Sequence, residues 1–136
     1  MDIASITRGV FRIGVALLFG MHGLQKLFGF FGGRPVPLIS LLGVAGVLEV
    51  VGSTLLLLGL LTRPVALILA VEMVAAFVMV HAPKGGVPLQ NGGEVPLLYA
   101  LAFVFFAGNG AGVASADAVM QRRGVDTAHG RATRPA

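Results

Sequence analysis

Ionisable side chains stand inside otherwise apolar runs at Arg12, His22, Lys26, Glu49 and Glu72, with His81 and Glu94 at the edges of such runs. An ionisable group at the centre of a membrane helix costs about 2.5–3.5 kcal/mol on insertion scales, so it faces the bundle interior and finds a partner. His22 and Lys26 are four residues apart and project from one helix face. Glu49 sits near the middle of its run, with Ala45, Gly46, Gly52 and Ser53 on one side. Such small residues let a second helix approach closely, which puts Glu49 on a packed face. Imidazole, ammonium and carboxylate together can pair as ions, pass protons or hydrogen-bond a polar head group. Lys26 is the expected counter-ion of Glu49.

Each of these residues also has a plainer role to weigh. Glu72, flanked by Ile68, Leu69, Ala75 and Ala76, reads either as a carboxyl that shares a proton with Glu49 at the same depth or as one that hydrogen-bonds across helices as packing glue. Arg12 lies about 15 Å before His22 along a helix and reads as an anchor that snorkels to the inner interface. Ser115 and Asp117 follow the last apolar run and read as caps of a short helix extending to about Arg123. Glu72 and His81 are nine residues apart, so an ideal helix points them to opposite sides. The expected polar cluster is therefore His22, Lys26, His81, Asn91 and Glu94 above a deeper Glu49, open to the outer face. His22 and His81 as axial haem ligands form a minor alternative, and no other metal site is expected.

The elements that position these groups follow from composition. Of 136 residues, 56% are hydrophobic and 12% charged, against about 25% charged in a soluble domain. A helix needs about 20 apolar residues to cross the hydrocarbon core. Four runs qualify: about 10–31, 38–61, 64–80 and 95–112. Pro64 and Pro96 suit first helical turns. Thr62-Arg63 reads as the link between runs two and three, and Asn91-Gly92-Gly93 as a turn. The expected fold is an all-α membrane protein, an up-and-down bundle of four transmembrane helices over residues 1–124. The polar stretch 125–136 is expected to be a disordered tail. The first run ends in no small-residue cleavage site and carries His22 and Lys26, so it is read as a retained span.

Orientation follows the basic residues. Arg8, Arg12, Arg63, Arg122, Arg123, Arg131 and Arg134 fall on one side, and Arg34 and Lys84, with Lys26 nearby, on the other. Both termini are thus expected in the cytoplasm. With no cysteine, the chain has no disulfide, thiolate nucleophile or Cys-bound cluster. Aromatic–basic interleaving of the nucleic-acid-binding kind is missing, so no nucleic-acid partner is expected.

Several segments together resemble one family. They are His22-Gly23-Leu24-Gln25-Lys26-Leu27-Phe28-Gly29, Glu49 with Gly52, Leu58-Gly59-Leu60-Leu61-Thr62-Arg63, His81-Ala82-Pro83, Asn91-Gly92-Gly93-Glu94 and Gly110-Ala111-Gly112-Val113-Ala114-Ser115-Ala116-Asp117. In order and spacing they are similar to the DoxX family of small bacterial membrane proteins, from about Thr7 to Gly124. The resemblance implies a four-helix membrane bundle in the bacterial plasma membrane. It also implies an association with quinol-oxidase, thiosulfate–quinone oxidoreductase or redox-defence systems. Its motif residues fall on His22, Lys26, Glu49, His81, Asn91, Glu94, Ser115 and Asp117. Glu72 lies outside the pattern, and Val113 stands where the pattern has a basic residue.

Three functions compete. In the first, the chain is the membrane subunit of a quinone-linked redox system. A quinone head is held there by His22 or Lys26 with Glu49, and electrons come from a partner redox protein, because no Gly-rich dinucleotide motif is present. In the second, the chain is a non-enzymatic scaffold for partner enzymes and the polar cluster is glue. The third is a small-solute or proton pathway, which needs a homo-oligomer to enclose it. Ala16 with Gly20, and Ala66 with Ala70, are small-residue stripes that suit packing between or within chains.

Overall fold

The structure is a computed structural model that describes residues 2–122. These residues form helices and turns without a β-strand. Helix α1 (Ile3–Phe28) starts at Asp2, whose carboxylate accepts from the Ser5 N–H at 2.7 Å. It stops at Gly29, which takes the left-handed conformation (φ 72°). Helix α2 (Leu41–Leu58) is capped by the Ser40 hydroxyl, which accepts from the Gly43 N–H at 3.0 Å. Helix α3 (Thr62–Ala76) continues through a π-helical turn, Phe77–His81, into a 3-10 turn, Ala82–Lys84. A short α4 (Pro88–Asn91) precedes α5 (Glu94–Asn109), and a last helical stretch occupies 116–122.

Three apolar segments are long enough to cross a membrane: Ile3–Phe28, Leu41–Leu58 and Thr62–Lys84. Helix α5 is equally apolar but has only 16 residues. The helix boundaries differ from the sequence reading. Residues 29–31 are a turn rather than helix, with Phe31 also at positive φ (56°). Thr62 and Arg63 are not the link between α2 and α3 but the first turn of α3, and the link is Gly59–Leu61. Helix α5 ends at Asn109 because Gly110 (φ 74°, ψ −165°) leaves helical geometry. The expected tail, 125–136, lies outside the described residues.

Helix α1 runs along α2, and α3 along α5, while α1 and α5 approach over a limited stretch. Phe19, Leu56, Leu69, Phe103 and Phe106 are sealed in the core. The Phe19 and Phe103 rings meet edge to face at 4.8 Å, a favourable aromatic geometry. Leu17, Leu18, Leu67, Ile68, Val71, Leu98, Leu101 and Val104 are each more than half exposed. So large an apolar exterior marks a lipid-facing surface, and the chain is an integral membrane protein. Both small-residue stripes are used inside the chain. Ala16, Ala66 and Ala70 are buried, and a Cβ on Gly20 would meet the Ser53 hydroxyl at 2.8 Å.

One end of the bundle is tied by side chains distant in sequence. Arg12 does not snorkel; it is wholly buried. Its Nε donates to the Ala111 carbonyl at 2.9 Å, Nη2 to Ala114 at 2.9 Å, and Nη1 to Leu57 at 2.7 Å and to Leu56. Leu56 and Leu57 are at the C-terminal end of α2, where carbonyls lack helical partners and a cation is favoured by the helix dipole. Asp117 does not cap its own helix either. Its two carboxylate oxygens accept from the Leu61 and Thr62 N–H groups, each at 2.9 Å, and so cap α3. Leu61, at φ 51°, offers α3 no side-chain cap of its own. Ser115 does cap the 116–122 helix, its hydroxyl accepting from the Ala118 N–H at 3.2 Å. Gly59 (φ 63°) completes the α2–α3 turn, and a Cβ there would overlap Ser115 Cβ at 2.3 Å.

Candidate functional site

At the opposite end of the bundle, α1 and α2 bring Lys26 and Glu49 together as an ion pair between Lys26 Nζ and Glu49 Oε1. The approach depends on Gly23, one turn before Lys26. A Cβ at Gly23 would stand 2.7 Å from Val50 Cγ2 and 2.9 Å from Glu49 Cβ. Glu49 is 1% exposed, and Lys26 is the more accessible partner. The second carboxylate oxygen, Glu49 Oε2, is buried with no hydrogen-bond partner among the described residues. Leaving a buried acceptor unpaired costs about 1–3 kcal/mol, more for a charged one, so such an atom calls for an explanation.

The pair borders a cavity of about 300 Å³, at the small end of the range of ligand sites. Phe19, His22 and Lys26 of α1, Glu49 of α2, Met73 and His81 of the third apolar segment, and Tyr99 of α5 line it. The His22 ring stands edge-on to Tyr99 (centroids 5.7 Å apart, 85°), and Tyr99 packs on Phe19 at 5.0 Å. One wall is therefore aromatic and the other ionic. An adjoining groove of about 270 Å³ shares His22 and Tyr99 and opens over Leu18, Met21 and Phe31, all three exposed apolar side chains.

Four of the expected cluster residues come together here: His22, Lys26, Glu49 and His81. His81 Nδ1 lies 3.1 Å from the Asn91 carbonyl oxygen, which leaves Nε2 as its other ring nitrogen. Asn91 is buried but holds the loop rather than the cavity. Its side chain donates to the Gly85 carbonyl at 2.6 Å and accepts from the Gly93 N–H at 2.7 Å. Glu94 is not in the cluster: it is exposed at the start of α5 and does not reach the cavity. The turn at Gly92 and Gly93 swings it outward while Val95 and Pro96 take the lining positions.

Glu72 does not line the cavity, in keeping with its phase opposite to His81. Both its carboxylate oxygens are buried without a partner among the described residues, so it makes no cross-helix hydrogen bond. His22 and His81, the pair considered for haem, share the cavity. Among the described residues no group of three or more His, Asp or Glu side chains is placed to hold a metal ion.

Sequence reasoning missed Phe19, Met73 and Tyr99. Aromatic and Met residues in an apolar run read as core. One signal was available for Tyr99, the chain's single tyrosine: a phenol in a membrane helix carries a polar tip that needs a partner.

No solved structure matches this chain. A protein of Haemophilus influenzae, described as uncharacterized, is 47% identical over 113 residues, covering 78% of this chain and 84% of its own length. The DoxX family model matches residues 9–82, which include Lys26, Glu49 and both cavity histidines, and this chain belongs to the DoxX family.

Proposed function

We propose that the chain is the membrane subunit of a quinone-linked redox system, and that its cavity holds the quinone head group. The observation that carries this reading is the Lys26–Glu49 ion pair bordering the cavity, with the second carboxylate oxygen, Oε2, buried and without a partner among the described residues. A quinone carbonyl needs a donor, and the Lys26 ammonium has three N–H groups. A quinol hydroxyl needs an acceptor, which the Glu49 carboxylate supplies once its side chain turns Oε2 toward the cavity. The aromatic wall of Phe19, His22 and Tyr99 suits a flat ring, and the apolar groove beyond His22 and Tyr99 suits an isoprenoid tail. The Lys26–Glu49 pair would accept and release the protons of quinol oxidation, while the electrons pass to or from a partner redox protein.

In this reading the chain lies in the bacterial plasma membrane with both termini in the cytoplasm, as the arginine bias suggests. Helix α5 is the fourth span. At 16 residues it is about 24 Å long, against about 30 Å of hydrocarbon. A short span is accommodated by local thinning of the bilayer.

The competing reading is a scaffold, favoured by the fact that Lys26 and Glu49 already satisfy each other in part. Equilibrium binding of a short-chain quinone to the full chain in lipid nanodiscs separates the two. The quinone reading expects saturable binding that Glu49→Gln weakens at least tenfold, with the variant still folded. Folded wild-type protein that binds neither a benzoquinone nor a naphthoquinone leaves the scaffold.

A further inference from the structure

The arginine-rich end of the bundle carries a second site, and it differs in kind from the first. A pocket of about 580 Å³ opens between the start of α1, the start of α3 and the Gly110–Gly112 turn. Arg8 and Arg63 both border it. Among the described residues the one acidic side chain lining it, Asp117, has both oxygens engaged by the Leu61 and Thr62 N–H groups. The described lining therefore carries an excess of positive charge. Arg8 gives one N–H to the Asn109 carbonyl at 2.8 Å and keeps its remaining donors. Arg63 is exposed and lies over Gly110, where a Cβ would be 3.5 Å from its Nε. Thr62, wholly buried, also borders the pocket, and its hydroxyl has no partner among the described residues.

A groove of about 450 Å³ adjoins this pocket and shares Arg8 and Asn109 with it. It runs along the α1–α5 seam, floored by Ala4, Thr7, Phe11 and Phe105. The seam is open because these two helices approach over only a limited stretch. Phe11 and Phe105 are each more than a third exposed, with rings 5.8 Å apart. A basic pocket that leads into an apolar groove, in a membrane protein, matches one ligand class in both charge and shape. Arginine forks suit phosphate, and basic pockets between membrane helices on the cytoplasmic side bind anionic head groups.

We propose that this seam binds an anionic phospholipid, with its phosphate between Arg8 and Arg63 and an acyl chain along Phe11 and Phe105. Arg8 is 18 residues from Lys26, about 27 Å along α1. The lipid site is thus separate from the cavity and does not depend on what the cavity holds. The bound lipid would bridge α1, α3 and α5.

The test uses the full chain in a neutral detergent, with thermal unfolding and native mass spectrometry as readouts. Dioleoylphosphatidylglycerol is expected to raise Tm and to remain bound in the gas phase, and dioleoylphosphatidylcholine to do so far less. Sodium phosphate and glycerol phosphate, which lack an acyl chain, are expected to give no comparable shift. Arg63→Gln should weaken phosphatidylglycerol binding about fivefold, and Lys84→Gln, at the other end of the bundle, should leave it unchanged. An equal response to the zwitterionic lipid, or an unchanged affinity in Arg63→Gln, overturns the proposal. An equal shift from inorganic phosphate assigns the pocket to a free anion and also overturns it. Should Arg63→Gln not fold, Phe105→Leu trims the groove and is expected to lower lipid affinity.

Discussion

The two ends of this bundle use charge in opposite ways. Around the α2–α3 turn, buried Arg12 and half-buried Asp117 are spent on the backbone. Arg12 closes four carbonyls and Asp117 closes two N–H groups. Around the cavity, the charge is only half spent. Glu49 has one oxygen paired and one unpaired, and His22 meets Tyr99 by its ring edge. A saturated buried charge fixes geometry, and an unsaturated one retains capacity for a ligand. Arg12 and Asp117 are thus saturated at one end, and the Lys26–Glu49 pair is left partly unsaturated at the other.

That contrast is broken most severely at Arg12. Arg12→Ala leaves four carbonyls without their donor and is expected to cost about 3–5 kcal/mol, read as a fall in unfolding midpoint in detergent. Arg12→Lys restores the charge but not the fork, and should recover only part of the loss. A loss below about 1 kcal/mol for Arg12→Ala would remove the architectural role.

Gly23→Ala comes next. Its methyl would overlap Val50 and the Glu49 Cβ, and overpacking of this kind costs about 1–3 kcal/mol. It should also push α1 from α2 and weaken the Lys26–Glu49 pair. The change should therefore appear in ligand binding as well as in stability.

Asp117→Ala removes the cap of α3 and should cost about 1–2 kcal/mol, with no effect on the cavity. Asp117→Asn keeps one acceptor oxygen and should retain part of the stability. Hydrogen exchange at the Leu61 and Thr62 amides reads this directly: both should exchange faster in Asp117→Ala and no others at the cavity end should change.

Smallest in stability is Tyr99→Phe. A half-buried phenol at the edge of a cavity should cost within about 0.5 kcal/mol. Under the ligand account it alters affinity by more than it alters stability. Equal and small effects on both would place Tyr99 with the packing aromatics.

The cavity end was the more legible in sequence. The four-residue spacing of His22 and Lys26 fixes their common face, and the small residues around Glu49 mark a packed face, so the Lys26–Glu49 pair follows from local patterns. Glu94 was misplaced because its direction depends on the turn at Gly92 and Gly93, which no helical period describes. The Arg12 and Asp117 roles were not legible. Arg12 meets carbonyls at Ala111 and Ala114, about a hundred residues along the chain, and Asp117 caps a helix that starts 55 residues earlier. Local periodicity carries no information about such closures. An arginine near a helix start reads as an interface anchor until its distant partners fold back on it. The shortness of α5 was hidden for a similar reason: Gly110 ends the helix while the apolar composition runs on.

The unpartnered Glu49 oxygen is where the account is most exposed. Binding of a short-chain quinone should be compared between wild type, Glu49→Gln and the paired variant Lys26→Met with Glu49→Leu, each checked for a cooperative unfolding transition. Replacing a buried ion pair by apolar residues is often neutral for stability, so the paired variant is expected to stay folded while binding is lost. If the folded paired variant binds quinone as wild type does, the half-spent charge is not what holds a ligand, and the central claim fails.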